Sequence, residues 1–504
     1  MGVYDFTIGS IIERNARVHA DRIGWVCGEE KITHLQFSKS VSRLAHGLIN
    51  AGVEKGDRIG VLAQNSMAYF YLYGAAAKLG AVMLPINFRL SSEEIEYIIN
   101  DGEPKLLFVG SEYIENIGSI TSRLPSVQRF YSMADEIEKF SSFHSLLEKN
   151  EIEHACEVSA GDSFVIIHTA AVSGNPRGAV LSHRGLVSAN LQSMYAWKLT
   201  SNDCHLCMLP LFHVAALGTA LNVLHAGGKN IVMPRFDPDR ALKHIQDDRV
   251  TVFIEFSPML ENLFDRNREL KCNLETLRIV GGLDQPQTAK KFEELTGGTF
   301  WTAYGQSEVS GLVTLAPYFE RAGSAGLPGF MAEVKVMDES GHFLESGKDG
   351  EIVVRGPMVF NGYWNLSEDN QYTFRDGWHH TGDQGHFDQD GYLWYAGRMP
   401  EKELIKPGGE NVYPAEVEKA ILEHPVVSEV CVIGVPDERW GEAIMAICVL
   451  KPGKTLAHSE LIEFVTSKIA RYKKPKFLTI VPQLPKTEEG LIDRQKVKAD
   501  FGQA

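Results

Sequence analysis

The chain has 504 residues, 44% of them hydrophobic and 23% charged, a composition that fits a folded globular protein and excludes a disordered or low-complexity one. Fifty basic side chains against 65 acidic ones give a formal charge of −15. That balance argues against nucleic acid as a partner and against binding to anionic lipid, while leaving room for a local basic site for a phosphate ligand. The length predicts two to four domains at roughly 100–200 residues each. No apolar run is long enough to span a bilayer, and the N-terminus lacks the apolar segment of a secretory signal. Seven scattered cysteines fit a reducing compartment, so cytoplasm is the expected location.

From the N-terminus, 58–63 (RIGVLA) predicts a buried strand, 67–78 a helix and 81–86 a second strand. Ser91 and Glu94 have capping-box spacing ahead of a helix through Ile99, and 105–110 closes the series with a strand. This alternation predicts a parallel sheet covered on both faces by helices. The pattern recurs after Asp162, with strands at 164–167, 204–209, 230–233, 252–256 and 277–280, so two similar α/β halves are expected, dividing near residue 160. From Gly323 to Tyr395 short alternating strands punctuated by glycine, such as 350–357, predict a small β-barrel-like subdomain. The last hundred residues carry helical patterns at 414–423 and 459–470 around strands at 429–435 and 477–481, a compact α+β domain. The expected domains are 1–397 and 407–504, joined by a polar linker at 398–406.

Several short motifs carry chemistry. His168 to Gly178 is a small-residue loop after a strand, able to bring backbone N–H groups to a polyphosphate, with Arg177 as a cation. Tyr304-Gly-Gln-Ser-Glu308 sets a hydroxyl beside a carboxylate, suited to a phosphate oxygen and a hard cation. Asp383 ends a Trp-His-His-Thr-Gly-Asp run and could take ribose hydroxyls, with Arg398 nearby. Gly408-Gly-Glu410 permits close backbone approach to a narrow ligand, and His213 follows an apolar stretch. Taken singly, each is also what an ordinary turn, cap or core histidine looks like. Cys204 and Cys207 have C-x-x-C spacing, but no second pair or suitable histidine accompanies them, so a metal site is not expected there.

In this order, the blocks LPLFHVAAL (209–217), YGQSE (304–308), HHTGD (379–383), GGENVYPAEVE (408–418) and VIGVPDERWGEA (432–443) resemble the adenylate-forming superfamily, in its acyl-CoA synthetase branch. The likeness runs from about residue 7 to 498. It implies an AMP-forming acid–thiol ligase: a carboxylic acid attacks the α-phosphate of ATP, pyrophosphate leaves, and coenzyme A then displaces AMP. In the family a small C-terminal domain rotates between the two halves. The resemblance assigns Thr169, Ser173, Gly174 and Arg177 to the phosphate loop, and Gly281 and Gly282 to the adenine border. Tyr304, Gly305, Gln306 and Ser307 go to adenine and the α-phosphate, Glu308 to Mg²⁺, and Asp383 and Arg398 to ribose. His213 falls where the acyl carboxylate and thiol meet, and Gly408, Gly409 and Glu410 along the pantetheine tunnel. The acid pocket is expected around 214–219, 256–259 and Tyr304. A homodimer is compatible with the family.

The departures are specific. Where the family loop reads T-S-G-T-T-G-x-P-K-G, this chain has Ala170, Ala171 and Val172 in place of a hydroxyl, a glycine and a hydroxyl. Where the C-terminal signature P-K-T-x-x-G-K-I-x-R supplies a lysine to the adenylation half, this chain has Leu491; losing one such cation costs about 10²–10³ in rate. The linker is about two residues longer than usual, with Pro400 at the hinge position, and the adenine segment reads Gly281-Gly-Leu-Asp-Gln285. Three readings are open: a replacement cation such as Lys402, Lys406 or Lys496; an enzyme run towards ATP from acyl-CoA, AMP and pyrophosphate; or a nucleotide- or acyl-CoA-binding protein with little adenylation. The retained Glu308, Asp383 and Arg398 favour the first.

Overall fold

In the computed structural model the described residues are 2–151, 156–169, 176–399, 404–408, 410–437, 439–487 and 491–502. A seven-stranded sheet runs from 141–142 through Arg129–Ser132, Leu106–Val109, Arg58–Leu62, Val82–Pro85 and Ser163–Thr169 to Arg177–Ser182. All its neighbours are parallel except the last pair, a hairpin in which Thr169 faces Arg177. Its helices start where the sequence marks them. Ser91 and Glu94 form a reciprocal capping box on Ser92–Gly102, and Gly80, at φ +67°, ends Met67–Leu79 in the left-handed conformation that glycine adopts without strain.

The second sheet has nine strands, from Leu327–Pro328 through Gly311–Pro317, Thr299–Gln306, Ile279–Leu283, Val252–Phe256, Cys204–Cys207 and Lys229–Val232 to Ile23–Cys27 and Glu30–Thr33. The division expected near residue 160 is therefore corrected. Ile23–Cys27 pairs with Lys229–Val232, placing Trp25 opposite Asn230, while Ser163–Thr169 and Arg177–Ser182 complete the first sheet. The cause is burial: Trp25 is fully enclosed against the rings of Phe37 and Phe70, 4.8 and 4.4 Å away, and that aromatic cluster draws the first strands across to the second sheet. The helices Ile8–Val18, His34–Asn50, Met67–Leu79 and Val214–Ala226 share one large core with both sheets.

A five-stranded antiparallel sheet, Glu333–Met337 to Leu393–Arg398, forms the small β-rich unit. The C-terminal α+β unit packs Pro414–Leu422, His458–Thr466 and Arg494–Phe501 on the strands Val427–Asp437, Gly441–Leu450 and Phe477–Ile480, with an apolar cluster on each face of the sheet. The helix expected through 470 stops at Thr466. There the Thr466 and Ser467 hydroxyls donate to the carbonyls of Ile462 and Phe464, side-chain bonds that compete with continuing the helix.

Candidate active site

A cavity of about 470 Å³ opens where the second sheet, the first sheet's last hairpin and the C-terminal unit meet. It gathers residues more than 200 positions apart in sequence. Thr169, Arg177, His213, Gly281, Gly282, Gly305, Gln306, Ser307, Glu308, Arg398, Lys406, Gly408 and Glu410 all line it. Ser173, Gly174 and Gly409, with the altered loop residues Ala170 to Val172, Pro400 and Lys402, lie outside the described residues.

Tyr304 and Asp383 stand behind the wall rather than on it. Asp383 is almost fully buried; it accepts from the Tyr304 hydroxyl at 2.8 Å and from the Gln306 amide at 2.5 Å, and pairs with Arg398 Nε at 3.2 Å. Arg398 in turn donates to the Tyr413 hydroxyl of the C-terminal unit at 3.2 Å. Because Asp383 and Arg398 are direct partners across two antiparallel strands, the sheet register itself sets this pair.

Beside Glu308, Arg177 is held by Asp369 at 2.5 Å and lies 4.2 Å from the centre of the Tyr363 ring. The Tyr363 hydroxyl donates to Glu308 Oε1 at 2.8 Å. Tyr363 therefore positions both the cation and the carboxylate that the sequence singled out. Glu308 offers hard oxygen donors to the cavity, which fits a magnesium ion. Among the described residues no cluster of three or more His, Cys, Asp or Glu side chains could hold a metal. Cys204 and Cys207 are buried on a strand, three residues apart and so on opposite faces, and burial pushes both thiols up to about 12.

Gly305 and Gly408 are glycines for steric reasons. A Cβ on Gly305 would meet the Gly311 carbonyl oxygen, where the neighbouring strand bulges in. Gly408 sits at φ +59°, with the Trp440 ring where a Cβ would be. The loop carrying Gly408 brings Glu410 against the large domain, where it pairs with Arg89 and lies 3.5 Å from His213 Nε2. His213 precedes the helix Val214–Ala226 and is partly open to the cavity; burial, with Arg89 nearby, pushes its imidazole down to about 3, so the ring is neutral near pH 7. Lys406 also lines the cavity, held below the usual lysine range by burial and by Arg398. Leu491 is 66% exposed, away from the cavity.

Of the residues expected around the acid, Val214, Ala215, Gly218 and Thr219, with 256–259, line the cavity, and Tyr304 does not. Sequence reasoning missed Arg89, Trp440 and the whole face Ala189, Asn190, Ser193 and Trp197 of the helix His183–Trp197. A signal existed for the last: small and polar residues recur on the buried side of a helix, where aliphatic ones would ordinarily sit.

Residues 12–364 match the AMP-binding enzyme family and 416–491 the AMP-binding enzyme C-terminal domain. The chain is 34% identical to a feruloyl-CoA synthase of an Amycolatopsis species, over 98% of this chain and 99% of that one. It is 32% identical to the indoleacetate–CoA ligase of Aromatoleum aromaticum, over 97% and 96%. A solved structure of a putative long-chain-fatty-acid CoA ligase from Rhodopseudomonas palustris is 43% identical, with a TM-score of 0.76 over 79% of this chain and all of that one. The o-succinylbenzoate CoA synthetase of Bacillus subtilis is 26% identical, with a TM-score of 0.85 over 97% of each chain. No described helix is long and apolar enough to cross a membrane. With both family domains matched in order, and full-length relatives of one reaction type, the chain belongs to the AMP-binding enzyme family as an AMP-forming carboxylate–CoA ligase.

Proposed function

We propose that both halves of the ligase reaction run in this one cavity, with the residue roles that follow. The carboxylate of the acid attacks the α-phosphorus of ATP, forming a P–O bond as pyrophosphate leaves. Ser307 and Arg177 face the phosphates, and Arg398, held by Asp383 behind the wall, faces the ribose. Glu308 would hold Mg²⁺, which when bound offsets the repulsion between the two anions. The thiol of coenzyme A then enters past Gly408 and Trp440 beside the neutral imidazole of His213 and attacks the acyl carbon, as AMP leaves with the bonding pair and its phosphate takes up the thiol proton. Glu410 would hold the His213 ring in place.

The observation that carries this reading is the convergence of Glu308, His213 and Glu410 on one cavity, from three stretches of chain and two domains. The orientation seen, with Glu410 inside and Leu491 outside, suits the thioester half. The adenylation half would then require the C-terminal unit to turn about the 398–406 segment. The test is pyrophosphate release with a panel of carboxylic acids, followed by coenzyme A-dependent release of AMP. Glu308→Gln is expected to lower pyrophosphate release about 10²–10³-fold. Binding of AMP with no turnover in either direction would overturn the reading.

A further inference from the structure

The irregular segment 208–213, between the strand Cys204–Cys207 and the helix Val214–Ala226, carries His213 to the cavity. A turn closes it, the His213 N–H donating to the Pro210 carbonyl at 3.0 Å. Pro210 has no N–H, and the buried polar groups around it need partners from elsewhere in the chain. The first sheet's side of the large domain supplies them. Asn65 lies between the strand Arg58–Leu62 and the helix Met67–Leu79 and is 2% exposed. Its amide donates to the Leu209 carbonyl at 2.8 Å and to the Met233 carbonyl at 3.1 Å, and its Oδ1 accepts from the Leu211 N–H at 3.0 Å. From the following helix, the Tyr73 hydroxyl donates to the Leu211 carbonyl at 3.0 Å. Both main-chain polar groups of Leu211 are thus held by side chains, and the same amide ties the segment to the end of the neighbouring strand Lys229–Val232. Asn65 and Tyr73 do not line the cavity, whereas Leu209, Pro210, His213 and Val214 do.

A primary amide offers two donors and an acceptor in one small group. A carboxylate in its place would set a negative charge against two carbonyl oxygens, and an alanine would leave two carbonyls and an N–H unpaired. The His213 side chain makes no bond that caps its own helix. The ring's place therefore follows from the main chain beneath it, from the Phe212 ring 4.3 Å away, and from Glu410 at 3.5 Å across the domain boundary. Of these restraints, the main chain is the one that the large domain sets by itself. We propose that Asn65, assisted by Tyr73, is the positioning residue of the thioester half: without touching substrate, it sets the Pro210–His213 turn so that the imidazole stands beside the acyl carbon. This assignment rests on the ligase reading, which puts the reacting carbon next to His213.

The test uses the acyl-adenylate of whichever panel acid releases pyrophosphate fastest, and follows its coenzyme A-dependent release of AMP. The variants are Asn65→Ala, Tyr73→Phe and His213→Ala, and each of the first two combined with the third. Asn65→Ala should slow this step roughly 10- to 100-fold and Tyr73→Phe about three- to tenfold. In the His213→Ala background either change should cost about twofold or less, because the group they position is gone. A residue that merely holds up the fold would slow the step by the same factor in both backgrounds. A second readout needs no substrate: the His213 ring, followed by NMR with labelled histidine. Burial pushes it down to about 3 in the unaltered chain, so it should be silent between about pH 5 and pH 8. In Asn65→Ala it should titrate closer to the ordinary value of about 6.5, as water reaches the displaced ring. Tyr73→Phe removes a single oxygen and serves for both readouts if Asn65→Ala does not fold. Equal losses with and without His213, a thioester step indifferent to His213→Ala, or a ring that stays silent in both variants would overturn the assignment. Failure of the unaltered chain to use any acid would sink the ligase reading instead, and the ring titration would still decide whether Asn65 places the imidazole.

Discussion

At the scale of single residues, the sharpest question is which cation serves the adenylation half when position 491 is leucine. Lys406 already lines the cavity near Arg398, buried deeply enough to pull its ammonium below the ordinary range. A desolvated cation acts more strongly on a developing negative charge than one in water. If Lys406 has taken over, Lys406→Met should lower pyrophosphate release about 10²–10³-fold, and Leu491→Lys should restore part of that loss while adding little to the unaltered chain. A large gain from Leu491→Lys alone, with Lys406→Met near full activity, would return the role to position 491. The sequence made Lys406 only one of three candidate cations, because a lysine's distance from a phosphate site is not written in its neighbours. His213, Glu308 and Glu410 were legible because each sits in a motif. Arg89 was not, since nothing around it in the chain points to Glu410.

At the scale of elements, one buried ion triad ties the two domains together. Lys473 of the C-terminal unit reaches Glu94 of the large domain at 2.6 Å and Glu416 of its own unit at 2.5 Å. Burial works against its charge, yet Glu416 and Glu94 hold its ammonium above the ordinary lysine range. Glu94 also closes the capping box on Ser92–Gly102 and accepts from the Ala470 N–H at 3.1 Å, so a helix start doubles as a docking point. The capping box was legible as local spacing; its partner 379 residues away was not. Turning the C-terminal unit must break this triad together with the Arg89–Glu410 pair and the Arg398–Tyr413 bond. Lys473→Met leaves two carboxylates facing each other, and removing one partner of a buried ionic group costs about 3–5 kcal/mol. The cost falls on the orientation seen here. Release of AMP from preformed acyl-adenylate by coenzyme A should therefore drop by at least about tenfold, while pyrophosphate release stays within about threefold. Equal loss in both steps would show that the triad holds up the fold rather than the orientation.

Across the whole molecule, buried histidines set how stability responds to acid. Burial brings His34, His183, His205 and His225 down to about 4. Their surroundings favour the neutral ring: His183 Nδ1 accepts the Ile8 N–H at 3.4 Å, an arrangement that a doubly protonated ring cannot keep. In the unfolded chain each would titrate near 6.5. Between those values the unfolded state binds protons that the folded state does not. Stability is therefore full above about pH 6.5 and is lost as pH falls towards 4, by on the order of 1 kcal/mol per histidine per unit. Glu255 works in the opposite sense. It is fully buried beside Asp284, neither of its oxygens has a partner among the described residues, and burial with Asp284 raises it well above the usual carboxylate range. Its contribution is present below about pH 4.5, where the unfolded side chain is also protonated, and is lost as pH rises through its folded value. Urea midpoints should thus fall steeply from pH 7 to pH 5 in the unaltered chain. Glu255→Gln should be the more stable of the two by a margin that widens from pH 5 to pH 8, by up to about 1.4 kcal/mol per unit. A flat profile from pH 7 to pH 5 would mean that water reaches these rings in the folded protein, and the shared core of the two sheets would then be more open than its packing implies.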